Sequence, residues 1–81
     1  MKITIRMFAS LRETVGTGQL VLDVPEGASL LAVVEQLLAR YPELDGGQEM
    51  WHFAVNQTHA DPDTLLSADD RVAIFPYIAG G

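Results

Sequence analysis

Ser29-Leu30-Leu31-Ala32-Val33-Val34-Glu35-Gln36-Leu37-Leu38-Ala39-Arg40-Tyr41-Pro42 is the stretch on which the fold turns. Leu30, Val33, Val34, Leu37, Leu38 and Tyr41 recur at three- and four-residue spacing, which gives one broad apolar stripe. Glu35, Gln36 and Arg40 fall on the opposite side. Ser29 stands where its side-chain oxygen can cap the first turn. Pro42 disfavours helical geometry at Tyr41. The pattern predicts a helix over 30–41, entered through a break at Pro25-Glu26-Gly27-Ala28. A helix with one apolar stripe needs a surface to cover, and the flanking segments supply it.

Upstream, Lys2 to Phe8 alternates strictly, with Ile3, Ile5 and Met7 on one face and Lys2, Thr4, Arg6 and Phe8 on the other. A second strand is predicted over 19–24, with Leu20, Leu22 and Val24 on one face, after a turn at Gly16-Thr17-Gly18. The two strands are close enough in sequence to form a hairpin. Downstream, residues 43–50 read as a loop around Gly46-Gly47. A third strand runs over 51–55 and turns at Asn56-Gln57, and Leu65-Leu66 is a short apolar anchor between two turns. Residues 71–76 form the last strand. The inward candidates are Ile3, Ile5, Met7, Leu20, Leu22, Val24, Phe53, Val55, Val72 and Ile74.

The order is β-β-α-β-(short β)-β. It predicts an α+β domain with a mixed sheet of four to five strands and one main helix on one face. A helical crossover after a hairpin lets the last strand run parallel beside the first. That arrangement is the ubiquitin-like β-grasp, over residues 1–76, followed by a flexible tail over 77–81.

Composition narrows the function. Eighty-one residues make one small domain, and 48% apolar content can build its core. Five Lys+Arg stand against 11 Asp+Glu, a formal net charge of −6, so nucleic acid and acidic membrane surfaces are poor ligands. The absence of cysteine removes disulfides, thiol nucleophiles and Cys-based zinc sites. Residues 1–9 alternate and include Arg6, so they read neither as a signal h-region nor as a membrane span. A soluble, cytoplasmic domain is expected.

Side chains that carry chemistry are few. His52 and His59 lack a third ligand at metal spacing. Asp61, Asp63, Asp69 and Asp70 lack the central Gly and closing Glu of a calcium loop, and read as turn and solubility residues. Ser10, Ser29 and Ser67 have no neighbouring base. No metal and no tightly bound cofactor is expected. The tail Tyr77-Ile78-Ala79-Gly80-Gly81 is different. Diglycine has no Cβ and can thread a narrow slot, and five residues reach about 17 Å when extended. By itself a Gly-Gly end also reads as a frayed tail.

Ala54-Val55-Asn56-Gln57-Thr58, Asp70-Arg71-Val72-Ala73-Ile74-Phe75-Pro76 and Ala79-Gly80-Gly81 together resemble the MoaD-like small subunits of molybdopterin synthase. So does Phe8-Ala9-Ser10-Leu11-Arg12-Glu13. These are ubiquitin-like sulfur carriers with a β-grasp fold, and the resemblance spans the whole chain in order. Two departures stand out. Asp69-Asp70 replaces the usual Gly-Asp before the last strand, a turn that Asp tolerates. Tyr77 stands where a second Pro is common.

The resemblance implies a specific chemistry. A ubiquitin-activating-type adenylyltransferase uses MgATP to adenylate Gly81, and a sulfur donor converts it to a thiocarboxylate. Inside the large subunit of a heterotetrameric synthase the sulfur is given to cyclic pyranopterin monophosphate, for molybdenum cofactor biosynthesis. Gly81 is then the reacting terminus, with Gly80 and Ala79 as its tail, and the chain is a non-catalytic carrier subunit. Phe8 and Phe75 fall on the face away from the helix and suggest a docking patch, with Arg12, Tyr77 and Ile78 beside it. Two alternatives are a carrier for thiazole or tungsten-cofactor synthesis and a plain β-grasp interaction module. A stand-alone enzyme is the most distant reading.

Overall fold

A computed structural model describes residues 1–76. Five strands form one mixed sheet: β1 (Lys2–Met7), β2 (Gln19–Asp23), β3 (His52–Val55), β4 (Thr58–Ala60) and β5 (Arg71–Phe75). Their spatial order is β2-β1-β5-β3-β4. β1 pairs antiparallel with β2 and parallel with β5, and β3 pairs antiparallel with both β5 and β4. The parallel first and last strands occupy the centre, as the crossover argument requires.

The main helix, α2 (Leu30–Arg40), buries Leu30, Val33, Val34 and Leu37. They share one core with Ile3, Ile5, Met7, Leu22, Val24, Phe53, Val72 and Ile74. Leu20, Val55, Leu38 and Tyr41 pack against this core but are only partly buried. Gln36 is not simply solvated: its amide donates to the Asp23 carbonyl at 2.7 Å and ties α2 to the end of β2.

Ser29 is the N-cap residue, yet its side chain makes no capping bond. The first free donors of α2 are taken by backbone from across the fold. Leu30 N–H donates to the Thr64 carbonyl and Leu31 N–H to the Pro62 carbonyl, each at 2.8 Å. In return Leu66 N–H donates to the Ala28 carbonyl at 2.9 Å. Helix starts need such acceptors, and a loop distant in sequence supplies them here. The expected Leu65-Leu66 anchor is split by the same pairing: Leu66 is buried, while Leu65 is 71% exposed.

A second helix, α1 (Ala9–Val15), fills the connection between β1 and β2, where only a turn was expected. It is seven residues long and buries Leu11 alone. Phe8, expected to end the first strand, is its uncapped N-cap. Ala9 enters it with φ 52°. Gly16, at φ 90°, closes it by donating its N–H to the Arg12 carbonyl, a left-handed stop that suits a residue without Cβ. The expected loop 43–50 contains two 3-10 turns, Pro42–Leu44 and Gln48–Met50, and Trp51 is buried just ahead of β3. Asp69 takes a left-handed φ of 68°, the conformation expected of the residue that replaces glycine there.

Candidate docking face on the open side of the sheet

Strand alternation fixes what the uncovered face displays. Register places Arg6 opposite Ala73 and Ala73 opposite Ala54, so two alanines lie side by side in the middle of the face. Phe8 and Phe75 stack at one end, with ring centroids 4.6 Å apart and planes within 9°. Phe8 extends the direction of β1 with φ −130° and ψ 158°, and Phe75 closes β5. Neighbouring central strands therefore bring together two rings that are 67 positions apart in the chain. The Arg6 guanidinium lies 5.6 Å from the Phe8 ring centroid, a cation–π contact that favours one side-chain position.

Ala54 and Ala73 are too small to fill the space between these larger neighbours. A shallow concavity of about 470 Å³ results, bounded by Phe8 and Phe75, Arg6, Arg71 and the Asn56-Gln57 turn. A hydrogen-bond network fixes that turn. Asn56 Nδ2 donates to the Asp70 carboxylate at 2.9 Å, and Arg71 N–H donates to Asn56 Oδ1 at 3.0 Å. Asp70 also accepts from the Ser67 N–H at 2.8 Å.

Arg12, expected at the rim, does not line this concavity. It lies on α1 and borders a separate groove with Ala9, Glu13 and Gly16. Its side chain passes Gly18 so closely that a Cβ there would stand 3.3 Å from Nε. Arg6 and Arg71 hold the positions at the rim instead. The alternation that puts Arg6 on the same face as Phe8 was a usable signal for the first of them. Tyr77, Ile78, Ala79, Gly80 and Gly81 lie outside the described residues, and Pro76, which precedes them, is buried.

The other candidate sites stay apart. Register sets His59 opposite Ala54 and His52 opposite Phe75, and among the described residues no group of three or more His, Asp or Glu could hold a metal ion. Asp70 serves the turn described above, and the Asp61 N–H bonds to the Thr64 hydroxyl at 3.2 Å in another turn. At the far edge of the sheet Lys2 Nζ stands 3.0 Å from the Asp23 carboxylate and holds it below the ordinary range. Among the described residues no helix is long and apolar enough to cross a membrane.

The ThiS family pattern matches residues 5–81. The chain belongs to the ThiS family. This ThiS-family chain is 32% identical over 83 residues to the molybdopterin synthase sulfur carrier subunit of Chlamydomonas reinhardtii, and the match spans 100% of both chains. Its fold superimposes on SAMP1 of Haloferax volcanii with a TM-score of 0.86 at 24% identity, over 100% of both chains. It also superimposes, at 0.70 and 18% identity over 100% of both chains, on a chain from the complex of subunits 1 and 2 of the Helicobacter pylori molybdopterin-converting factor. The ubiquitin-like β-grasp is therefore the fold of this ThiS-family protein, and it is a homologue of molybdopterin synthase sulfur carrier subunits.

Proposed function

We propose that this chain carries sulfur on Gly81 as the small subunit of a molybdopterin synthase. The observation that carries the reading is the end-to-end likeness to a molybdopterin synthase sulfur carrier subunit. The open face supports it, because β5 holds Phe75 of the stacked pair and leads into residues 77–81. The family name alone also fits a carrier for thiazole synthesis. The relative's own name and the Phe75-Pro76 run favour the molybdopterin pathway.

A carboxylate is a poor acyl donor, so the first step is activation by a partner adenylyltransferase. A Gly81 carboxylate oxygen attacks the α-phosphorus of MgATP, and pyrophosphate leaves. A sulfide-equivalent donor then attacks the acyl carbon, AMP departs with the electron pair of the broken C–O bond, and a thiocarboxylate remains. A thiocarboxylic acid is far more acidic than an alkyl thiol, so its sulfur is anionic and nucleophilic at neutral pH without a helping base. With the tail inside the large subunit, this sulfur attacks a side-chain carbon of cyclic pyranopterin monophosphate. A carbon–oxygen bond there breaks with its electron pair going to oxygen, and the pterin is left joined to Gly81 as a thioester. Water releases the carrier with its carboxylate restored, and two rounds give a dithiolene. The carrier supplies a threading tail and a docking face, and the catalytic groups belong to its partners. The absence of cysteine suits this role, because no internal thiol can intercept the activated Gly81. A cytoplasmic setting fits partners that consume ATP.

The test is intact mass after incubation with a ubiquitin-activating-type enzyme, MgATP and a sulfur donor. A gain equal to replacement of one oxygen by sulfur is expected. Deleting Gly81 should abolish the gain without lowering thermal stability. One residue added after Gly81 should also block transfer, because it moves the carboxylate about 3.3–3.6 Å. A chain without Gly81 that still acquired and donated sulfur would leave a β-grasp binding module in place of the carrier.

A further inference from the structure

Resting on the docking role of the open face, we infer that the concavity between Arg6, Arg71 and Gln57 receives an acidic side chain, Asp or Glu, of the large synthase subunit. The chain has only five Lys and Arg against 11 Asp and Glu. Two of the five border this one concavity. Among the described residues neither has an ion-pair partner, and the side-chain pair that forms is Lys2 with Asp23. Asp70, the carboxylate next to Arg71 in sequence, is occupied by Asn56 and the Ser67 N–H.

Register places the two arginines near each other. Thr4 pairs with Arg71 and Arg6 with Ala73, so Arg6 and Arg71 are diagonal neighbours on adjacent strands. Diagonal positions are about 7–8 Å apart, within reach of long side chains. Like charges at this spacing repel, and a carboxylate between them turns repulsion into paired charge-assisted hydrogen bonds. The alanine floor leaves room for a side chain to enter, and the adjoining Phe8–Phe75 stack gives its apolar surroundings a partner. A net charge of −6 disfavours a polyanion but tolerates one carboxylate on a protein surface.

Gln57 supplies an independent sign. It sits at φ 72°, after Asn56 at φ 50°. Two-residue hairpin turns with positive φ at both positions favour Asn-Gly, because glycine takes the second position without strain. A side chain is kept here against that preference, on the rim of the concavity. The Asn56 side chain is already committed to Asp70 and the Arg71 N–H, whereas the Gln57 amide has no hydrogen-bond partner among the described residues. Strained positions of this kind cluster where a side chain is needed for binding. The Gln57 amide thus offers the incoming carboxylate a third donor.

The experiment measures binding of the full chain to the purified large subunit over a series of salt concentrations, together with melting temperatures. Arg6→Ala and Arg71→Ala should each weaken affinity about five- to tenfold and flatten the salt dependence of the association rate. Gln57→Gly should raise the melting temperature and weaken binding, a divergence that a purely structural role would not give. Phe75→Ala should weaken binding with the salt dependence kept. If the arginine variants bind like the parent while Phe75→Ala weakens binding, the acidic contact is wrong and the docking face stands. If Phe75→Ala is silent as well, the docking face itself is wrong. Inorganic phosphate that raises the melting temperature of the parent but not of the arginine variants, with partner affinity unchanged in those variants, would make this a free-anion pocket and overturn the inference. Gln57→Gly that binds as tightly as the parent would remove Gln57 from the contact.

Discussion

The two faces of the central strands are built from alternate residues of the same short segments, and they obey different rules. On the covered face, Ile3, Ile5 and Ile74 are fully buried and Val72 and Met7 nearly so. On the open face, Arg6 and Arg71 are exposed, while Phe8, Ala54, Ala73 and Phe75 are only half-covered. The covered face answers to the transfer of apolar area out of water, and any aliphatic side chain of suitable volume would satisfy it. The open face is under no such demand. Threonine, lysine and glutamate would keep it soluble. Lys2 and Thr4 follow that pattern, but the face also holds a stacked aromatic pair, an alanine floor and two arginines, a composition that folding does not call for.

The largest test of this contrast is on the covered side. Ile5→Ala or Leu37→Ala should cost about 2–5 kcal/mol of stability, because each leaves a cavity in a small core. Denaturant melts measure it, and near-neutral values for both would mean that helix and sheet do not meet as described. Next is Phe75→Ala on the open side. It should lower affinity for the large synthase subunit by about 1–3 kcal/mol. Stability should fall less than for Ile5→Ala, because Phe75 is only half-buried: the loss is the stack, about 0.5–1.5 kcal/mol, plus the partial burial of one ring. A stability loss as large as that of Ile5→Ala, with affinity kept, would erase the distinction between the faces.

A smaller effect, of opposite sign, is expected at the end of β1. Ala9→Gly should stabilise by about 1 kcal/mol, because Ala9 holds a left-handed φ that glycine adopts without its Cβ penalty. A drop in melting temperature would show that the helical tendency of alanine in α1 outweighs the relief. The smallest effect is electrostatic. The Lys2 ammonium, by hydrogen bond and by charge, lowers the Asp23 pKa below its ordinary 3.8. A carboxylate with a depressed folded value adds stability above its unfolded pKa and loses it as pH falls through the folded one. The loss therefore belongs below about pH 4, and because both side chains are largely exposed, salt should screen it. Asp23→Asn should slightly lower the melting temperature at neutral pH and low salt and flatten the acid limb, so that variant and parent converge at low pH.

Much of this was legible in the linear chain. Strict alternation over Lys2 to Met7 and over β5, with a three-four stripe in α2, fixes which side chains go inward, because period and burial are local consequences of backbone geometry. The same alternation assigned Phe8 and Phe75 to the open face, and a parallel first and last strand made them neighbours. α1 was not legible: it has seven residues, no side-chain cap and one buried side chain. Its stop at Gly16 and the Leu11–Val15 spacing are the signals that would have found it.

What the sequence determined by itself was the covered face, the order of the main elements and the family-like motifs from Ala54 to Gly81. What only the tertiary structure decided was everything set by register between distant strands. Ser29 looked like a side-chain cap, yet carbonyls at Pro62 and Thr64 take the first donors of α2, a choice made by a loop over thirty positions away. Arg12 looked like the rim cation, yet α1 carries it to another groove while Arg6 and Arg71 frame the alanine floor. The physical reason is the same in both cases. A residue's period tells which way it points, but which partners meet it depends on pairings that join segments far apart in the chain.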